Sequence, residues 1–137
     1  EDIIIKDWER YAIPLGFNMQ LPKHLAAVIQ PRSGMSSKGM YAQIQRCDGS
    51  REETRVDADV KLGLIDSGYT GEVRVILKTC CVEYLGVKSV CIPAGTKIAQ
   101  MRIVEIPNTE LVSGIIKKEE DNDNKRGDSG FNSTGVK

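Results

Sequence analysis

The sequence predicts an all-β fold of the sandwich or barrel kind. Short runs of β-branched and aliphatic residues recur along the chain, and clusters of Gly, Pro, Asn or Asp separate each run from the next. Helical spacing is sustained nowhere, and a turn at Ser33 to Lys38 is the best small candidate. The expected strands are Asp2 to Ile5, Tyr11 to Leu15, Leu25 to Gln30, Tyr41 to Arg46, Val73 to Leu77, Ser89 to Ile92 and Ile98 to Ile106. Between them, Cys47 to Asp59 is polar and charged around Asp48-Gly49-Ser50, and reads as a hairpin tip or surface excursion. No internal repeat is visible.

A chain of 137 residues with 40% hydrophobic and 28% charged residues has the balance of one globular domain. Lys+Arg and Asp+Glu are equal at 19 each, so no bulk positive field favours a nucleic-acid backbone as partner. Any phosphate chemistry must then come from a few placed groups. Apolar runs such as Ile3-Ile4-Ile5 and Val73 to Leu77 are far too short to span a bilayer. No basic-then-apolar leader precedes them, so a cytoplasmic protein is expected. Cys47, Cys80, Cys81 and Cys91 show no CxxC spacing and His24 is the single histidine, which argues against a zinc site. Free thiols in a reducing compartment are the expectation, with Cys80 and Cys81 on opposite faces of any shared strand.

The organisation changes after the last strand. Residues 1–116 form the expected β domain, and 117–125 (Lys-Lys-Glu-Glu-Asp-Asn-Asp-Asn-Lys) is a solvated linker with nothing to bury. Residues 126–137 are glycine-rich yet hold Arg126, Phe131, Ser129, Ser133 and Thr134. A tail that is merely flexible has no use for that set.

Four segments carry side chains suited to chemistry. Pro31-Arg32-Ser33-Gly34 follows a strand, and its cation and hydroxyl at a tight corner could hold a phosphate; it could equally be a β-turn with an exposed Arg. In Gly63-Leu64-Ile65-Asp66-Ser67-Gly68-Tyr69-Thr70-Gly71-Glu72, apolar residues push Asp66 to a sheet edge, where a carboxylate within reach of a water can be a general base. Tyr69 could floor a ring or a sugar. The plainer alternatives are a turn Asp bonding its own backbone and a half-buried strand Tyr. Gly95-Thr96-Lys97-Ile98-Ala99-Gln100 is a turn feeding a strand, with Gln100 either functional or merely facing solvent. In the tail, glycine-freed N–H groups beside Ser133, Thr134 and Arg126 resemble a phosphate-binding loop without the Walker Lys. A disordered tail and an Arg-Gly-Asp adhesion tripeptide are the alternatives.

In this order the segments resemble the signature of the trimeric dUTP pyrophosphatases (dUTPases). Pro31 to Gly34 is similar to their second motif, Gly63 to Glu72 to the third, Gly95 to Gln100 to the fourth and Arg126 to Gly135 to the fifth. The resemblance implies a jelly-roll-like β-barrel or sandwich, a homotrimer whose active sites are each built from three subunits, and a flexible C-terminal arm that closes each site. It implies hydrolysis of dUTP to dUMP and pyrophosphate. Asp66 would deprotonate the water that attacks the α-phosphorus and accept from the 3′-OH. Tyr69 would pack under the deoxyribose, and backbone groups after Ile65 would read uracil. Arg32, Ser33 and Gly34 would serve the phosphates with Gln100 beside them. Phe131 would stack on uracil while Arg126, Ser133 and Thr134 clamp the outer phosphates. Mg²⁺ would be chelated by the triphosphate and water, with no protein ligand in this chain.

Departures from the pattern are visible. The family's first motif, an Ala-Gly-Tyr-Asp type segment, does not occur, and omission from the given sequence is the expected reason. The stretch from Pro31 to Asp66 is longer than usual, so Cys47 to Asp59 looks inserted. Val60 stands where many relatives have Asn, and Asn132 where Gly is usual. These features suggest a divergent, phage-like branch. A dCTP deaminase-type relative and a nucleotide-binding regulator with an impaired metal shell are the competing readings, and a β-sandwich capsid or adhesion module is a third class.

Overall fold

A computed structural model of the chain describes residues 1–80 and 86–115. Among these residues nine strands and one short helix follow the order β1 (Ile3–Ile5), β2 (Arg10–Asn18), β3 (Leu25–Gln30), α1 (Ser33–Lys38), β4 (Met40–Arg46), β5 (Arg51–Val60), β6 (Gly63–Ile65), β7 (Glu72–Cys80), β8 (Val87–Ile92) and β9 (Gln100–Glu105). A six-stranded sheet runs β1-β8-β4-β5-β7-β2, and a three-stranded sheet runs β6-β3-β9. All pairings are antiparallel. The expected all-β jelly-roll-like fold is the fold observed.

Alternation makes these strands. In β7, Val73, Val75, Leu77 and Thr79 point inward and are buried, while Glu72, Arg74, Ile76 and Lys78 face outward. Ile5, Ile13, Ile44, Val56, Leu77 and Val90 from neighbouring strands complete one core. Thr79 is a fully buried polar residue, and its hydroxyl donates to Asp7 Oδ1 at 3.0 Å, so its burial leaves no unpaired group. Pro14 lacks a ladder donor and is tolerated because β2 is an edge strand, with a register shift between Pro14 and Asn18.

The run from Arg51 to Asp59 departs from its reading as polar excursion. Only Cys47 to Ser50 forms the hairpin tip, where the Ser50 N–H donates to Asp48 Oδ1 at 2.9 Å. That bond and one from the Ser50 hydroxyl hold the Asp48 carboxyl below its ordinary range. Beyond the tip, β5 pairs with β4 on one side and β7 on the other, and buries Val56, Ala58 and Val60 in the core. Its charged residues are the outward half of an alternating strand. Past β9 the Ile106 N–H donates to His24 O at 2.8 Å, and Leu111, Val112 and Ile115 beyond it are exposed.

Candidate active site

Asp66 begins the turn that follows β6. Its Oδ1 accepts the Gly68 N–H at 3.1 Å and its carbonyl accepts the Tyr69 N–H at 3.2 Å. The carboxylate is exposed, and Oδ2 has no partner among the described residues. The backbone-bonded turn and the chemically available carboxylate are thus not alternatives: one oxygen fixes the side chain, the other is open.

Tyr69 is held equally firmly. Its hydroxyl donates to the Glu72 carbonyl at 2.8 Å, folding the ring back over Gly71. The loop is tied to β2 twice, by Asn18 Nδ2 to Thr70 O at 2.8 Å and by the Gly16 N–H to Glu72 Oε1 at 3.1 Å. Asn18 and Glu72 are therefore positioning residues that the sequence reading missed. Nothing in their local pattern marks them, since the partner strand lies more than fifty residues away in the chain.

Asp66 and Tyr69 border a concavity of about 510 Å³ whose wall includes Ile65, Leu64, Ala12 and Ile76. It is largely apolar, with Lys61 and Arg74 at its edge. Both of those cations are neutralised, Lys61 by Asp59 and Arg74 by Glu72. Because β6 is an edge strand, one side of its backbone faces this hollow unpaired by any other strand. An apolar pocket with open amide groups and one carboxylate suits a flat heterocycle on a sugar.

A second hollow of about 560 Å³ joins Arg32, Ser33 and Gly34 to Gly95, Thr96, Lys97 and Gln100. Met35 sinks into the core and pins α1 beneath it, while Gln100 Nε2 donates to Pro31 O at 3.0 Å and locks β9 to the Pro31–Gly34 corner. Gln100 is thus a structural tie as well as a lining residue. Arg32 is the N-cap residue of α1 and lines the hollow. Tyr41 lies at the rim; its hydroxyl donates to Glu53 at 2.8 Å, and that bonded carboxylate raises the phenol above its ordinary range, so the ring stays neutral.

Asp66 and the Pro31–Gly34 corner lie toward opposite ends of β3. Asp66 sits one step beyond the Ile65–Ala27 pair, whereas Pro31 follows Gln30 at the other end. Five residues of extended chain separate those levels, roughly 17 Å. Within one chain the backbones of Asp66 and Arg32 are therefore well separated along β3. Val60 is 3% exposed within the core, so its side chain reaches neither hollow. Arg126, Phe131, Ser133 and Thr134 lie outside the described residues. Among the described residues no three His, Cys, Asp or Glu side chains are grouped to hold a metal ion. Cys47, Cys80 and Cys91 are free thiols, and no described helix is long and apolar enough to cross a membrane.

An all-β body that offers an aromatic-and-carboxylate pocket and a separate cationic one has the makings of an enzyme acting on a nucleoside polyphosphate. No protein-family model matches the chain. It is, however, 34% identical over 136 residues to the deoxyuridine 5′-triphosphate nucleotidohydrolase of Clostridium novyi, covering 99% of this chain and 79% of that protein. Among solved structures it is similar to the Staphylococcus bacteriophage 80alpha dUTPase solved with dUpNHpp, with TM-score 0.64, 22% identity, and coverage of 99% of this chain and 82% of that one. A second is the dUTPase of phage phi11 of S. aureus, described with a structural Mg(II) ion, with TM-score 0.61, 20% identity, and coverage of 83% and 77%. The chain belongs to the deoxyuridine 5′-triphosphate nucleotidohydrolase (dUTPase) family of hydrolases.

Proposed function

We propose that this chain hydrolyses dUTP to dUMP and pyrophosphate, with Asp66 as general base for the water that attacks the α-phosphorus. The observation that carries the assignment of Asp66 is its divided carboxylate. Oδ1 is spent on Gly68, which fixes the rotamer, and Oδ2 faces solvent beside an apolar pocket, where it can accept a water proton. In this reading Tyr69 floors the deoxyribose and the open backbone edge after Ile65 reads uracil. Arg32, Ser33, Gly34 and Gln100 bind the phosphates; Arg126, Phe131, Ser133 and Thr134 close over the substrate as an arm.

The offset of Asp66 from the Pro31–Gly34 corner along β3 supports a site shared between copies of the chain. In this reading Asp66 of one copy works with the phosphate hollow of a neighbour. A homotrimer, in which each interface completes one site, satisfies this with every copy equivalent. Exposed Leu64, Met101 and Ile103 on the three-stranded sheet supply apolar surface for such contacts.

Among the described residues of one chain no three His, Cys, Asp or Glu side chains are grouped, and the phosphate hollow is lined by cations. Mg²⁺ in this reading arrives on the triphosphate and water, where it neutralises charge and orients the chain of phosphates. Free thiols are consistent with a cytoplasmic enzyme.

Mixing two inactive variants tests the assignment. Asp66→Asn and Arg32→Ala should each lose pyrophosphate release from dUTP, and mixed, re-equilibrated subunits should recover a fraction of it. A mixture as dead as its components sinks the shared site; a wild-type chain that leaves dUTP intact sinks the activity itself.

A further inference from the structure

The phosphate hollow contains more charge than the sequence motifs supply. Besides Arg32 and Lys97, its wall includes Lys38 from the end of α1 and Arg55 from β5, and no carboxylate. None of these four cations is ion-paired among the described residues. In a chain with 19 residues of each sign, a concave wall with four unpaired cations is a concentrated positive site.

Arg55 is the unexpected member. It belongs to the β4–β5 hairpin, outside every motif that marks the site. Its Nη1 donates to the Gly39 carbonyl at 3.2 Å, which directs the guanidinium across β5 toward the C-terminal end of α1 and into the hollow. That single bond leaves most of its five donors available. Neighbouring Glu53 is engaged with the Tyr41 hydroxyl and is not ion-paired with Arg55. From these positions we infer that Arg55 is a substrate-binding residue that holds the outer phosphates of dUTP and the departing pyrophosphate. The inference deepens the proposed function and rests on the Arg32–Gly34 corner being the phosphate side of the site. It makes the hairpin a functional part of the enzyme: β5 contributes an anchor for the leaving group.

Calorimetric titration of the full chain with inorganic pyrophosphate, dUMP and dUpNHpp tests this. Arg55→Gln should weaken pyrophosphate and dUpNHpp by about tenfold or more, the worth of a charge-assisted hydrogen bond, while dUMP changes by less than about twofold. Arg55→Lys, which keeps the charge, should retain much of the pyrophosphate affinity. Equal weakening of dUMP and pyrophosphate in Arg55→Gln would mean a distorted fold rather than a lost contact, and overturns the inference, as does unchanged pyrophosphate affinity. These binding readouts stand apart from turnover. A wild-type chain that binds pyrophosphate through Arg55 but does not cleave dUTP would refute the proposed activity and leave Arg55 as an anion ligand.

Discussion

The Tyr69 ring occupies the space that a side chain on Gly71 would fill: a Cβ there would stand 2.6 Å from the Tyr69 hydroxyl oxygen and 2.7 Å from Cζ. Glycine at 71 is thus required by where the tyrosine lies. Since Tyr69 is 44% exposed, it can swing outward rather than strain the sheet. Gly71→Ala should therefore cost little stability, roughly the 0.5–1.5 kcal/mol of the Tyr69–Glu72 hydrogen bond. With Tyr69 as the proposed sugar floor, the same change should let UTP compete better against dUTP, by about tenfold. Competition assays with UTP check it, and unchanged preference for deoxyribose would move the filter elsewhere.

Asp66→Asn keeps an oxygen for the Gly68 N–H and removes the base. Turnover of dUTP should fall by roughly 10²–10⁴-fold, the usual worth of general-base catalysis, with dUTP affinity held within about tenfold. Pyrophosphate release at saturating substrate, beside a binding titration, separates the two. Near-normal turnover would acquit Asp66.

Gly39 closes α1 against β5. Its φ of +71 lies in the left-handed region, and an added Cβ would approach the Val56 carbonyl oxygen to 2.6 Å. That obstacle is backbone within a paired strand and cannot swing away. Gly39→Ala should cost about 1–3 kcal/mol and disturb the adjoining Pro31–Gly34 corner. A lower midpoint in chemical denaturation with a raised KM for dUTP is the expected pair of results. A raised KM without lost stability would show that the corner moves freely of β5.

Alternation made most of the fold legible. β3 was readable to the residue, and Ser33–Lys38 became α1, because apolar runs and a Pro-led corner are local signals. β5 escaped because Arg-Glu-Glu-Thr-Arg-Val-Asp-Ala-Asp-Val presents its charges in sequence but buries only 56, 58 and 60. The period-two spacing of those small apolar residues was the available clue. The motifs also drew attention to Asp66, Tyr69 and Arg32, which line the hollows, since turns and glycines mark them. What no local pattern could reveal was distance: that Asp66 and the Arg32 corner are offset along β3, and that Asn18 ties the Asp66 loop and Arg55 lines the second hollow from remote strands.

Val60 offers a direct test of that distinction between sequence position and place. Aligned by motif, it stands where an Asn would serve uracil or a water, and restoring Asn looks like a repair. The side chain instead points into the core beside Val56, Val73 and Leu77, and is 3% exposed. An amide placed there loses water and finds apolar neighbours, a penalty of roughly 1–3 kcal/mol for each unpaired polar group. Val60→Asn should lower stability by at least that amount and leave dUTP affinity in the folded fraction unimproved. Urea unfolding with a parallel binding titration decides it. A variant as stable as the wild type and tighter for dUTP would mean that residue 60 turns toward the pocket, and that the end of β5 is arranged differently from its pairing with Leu77.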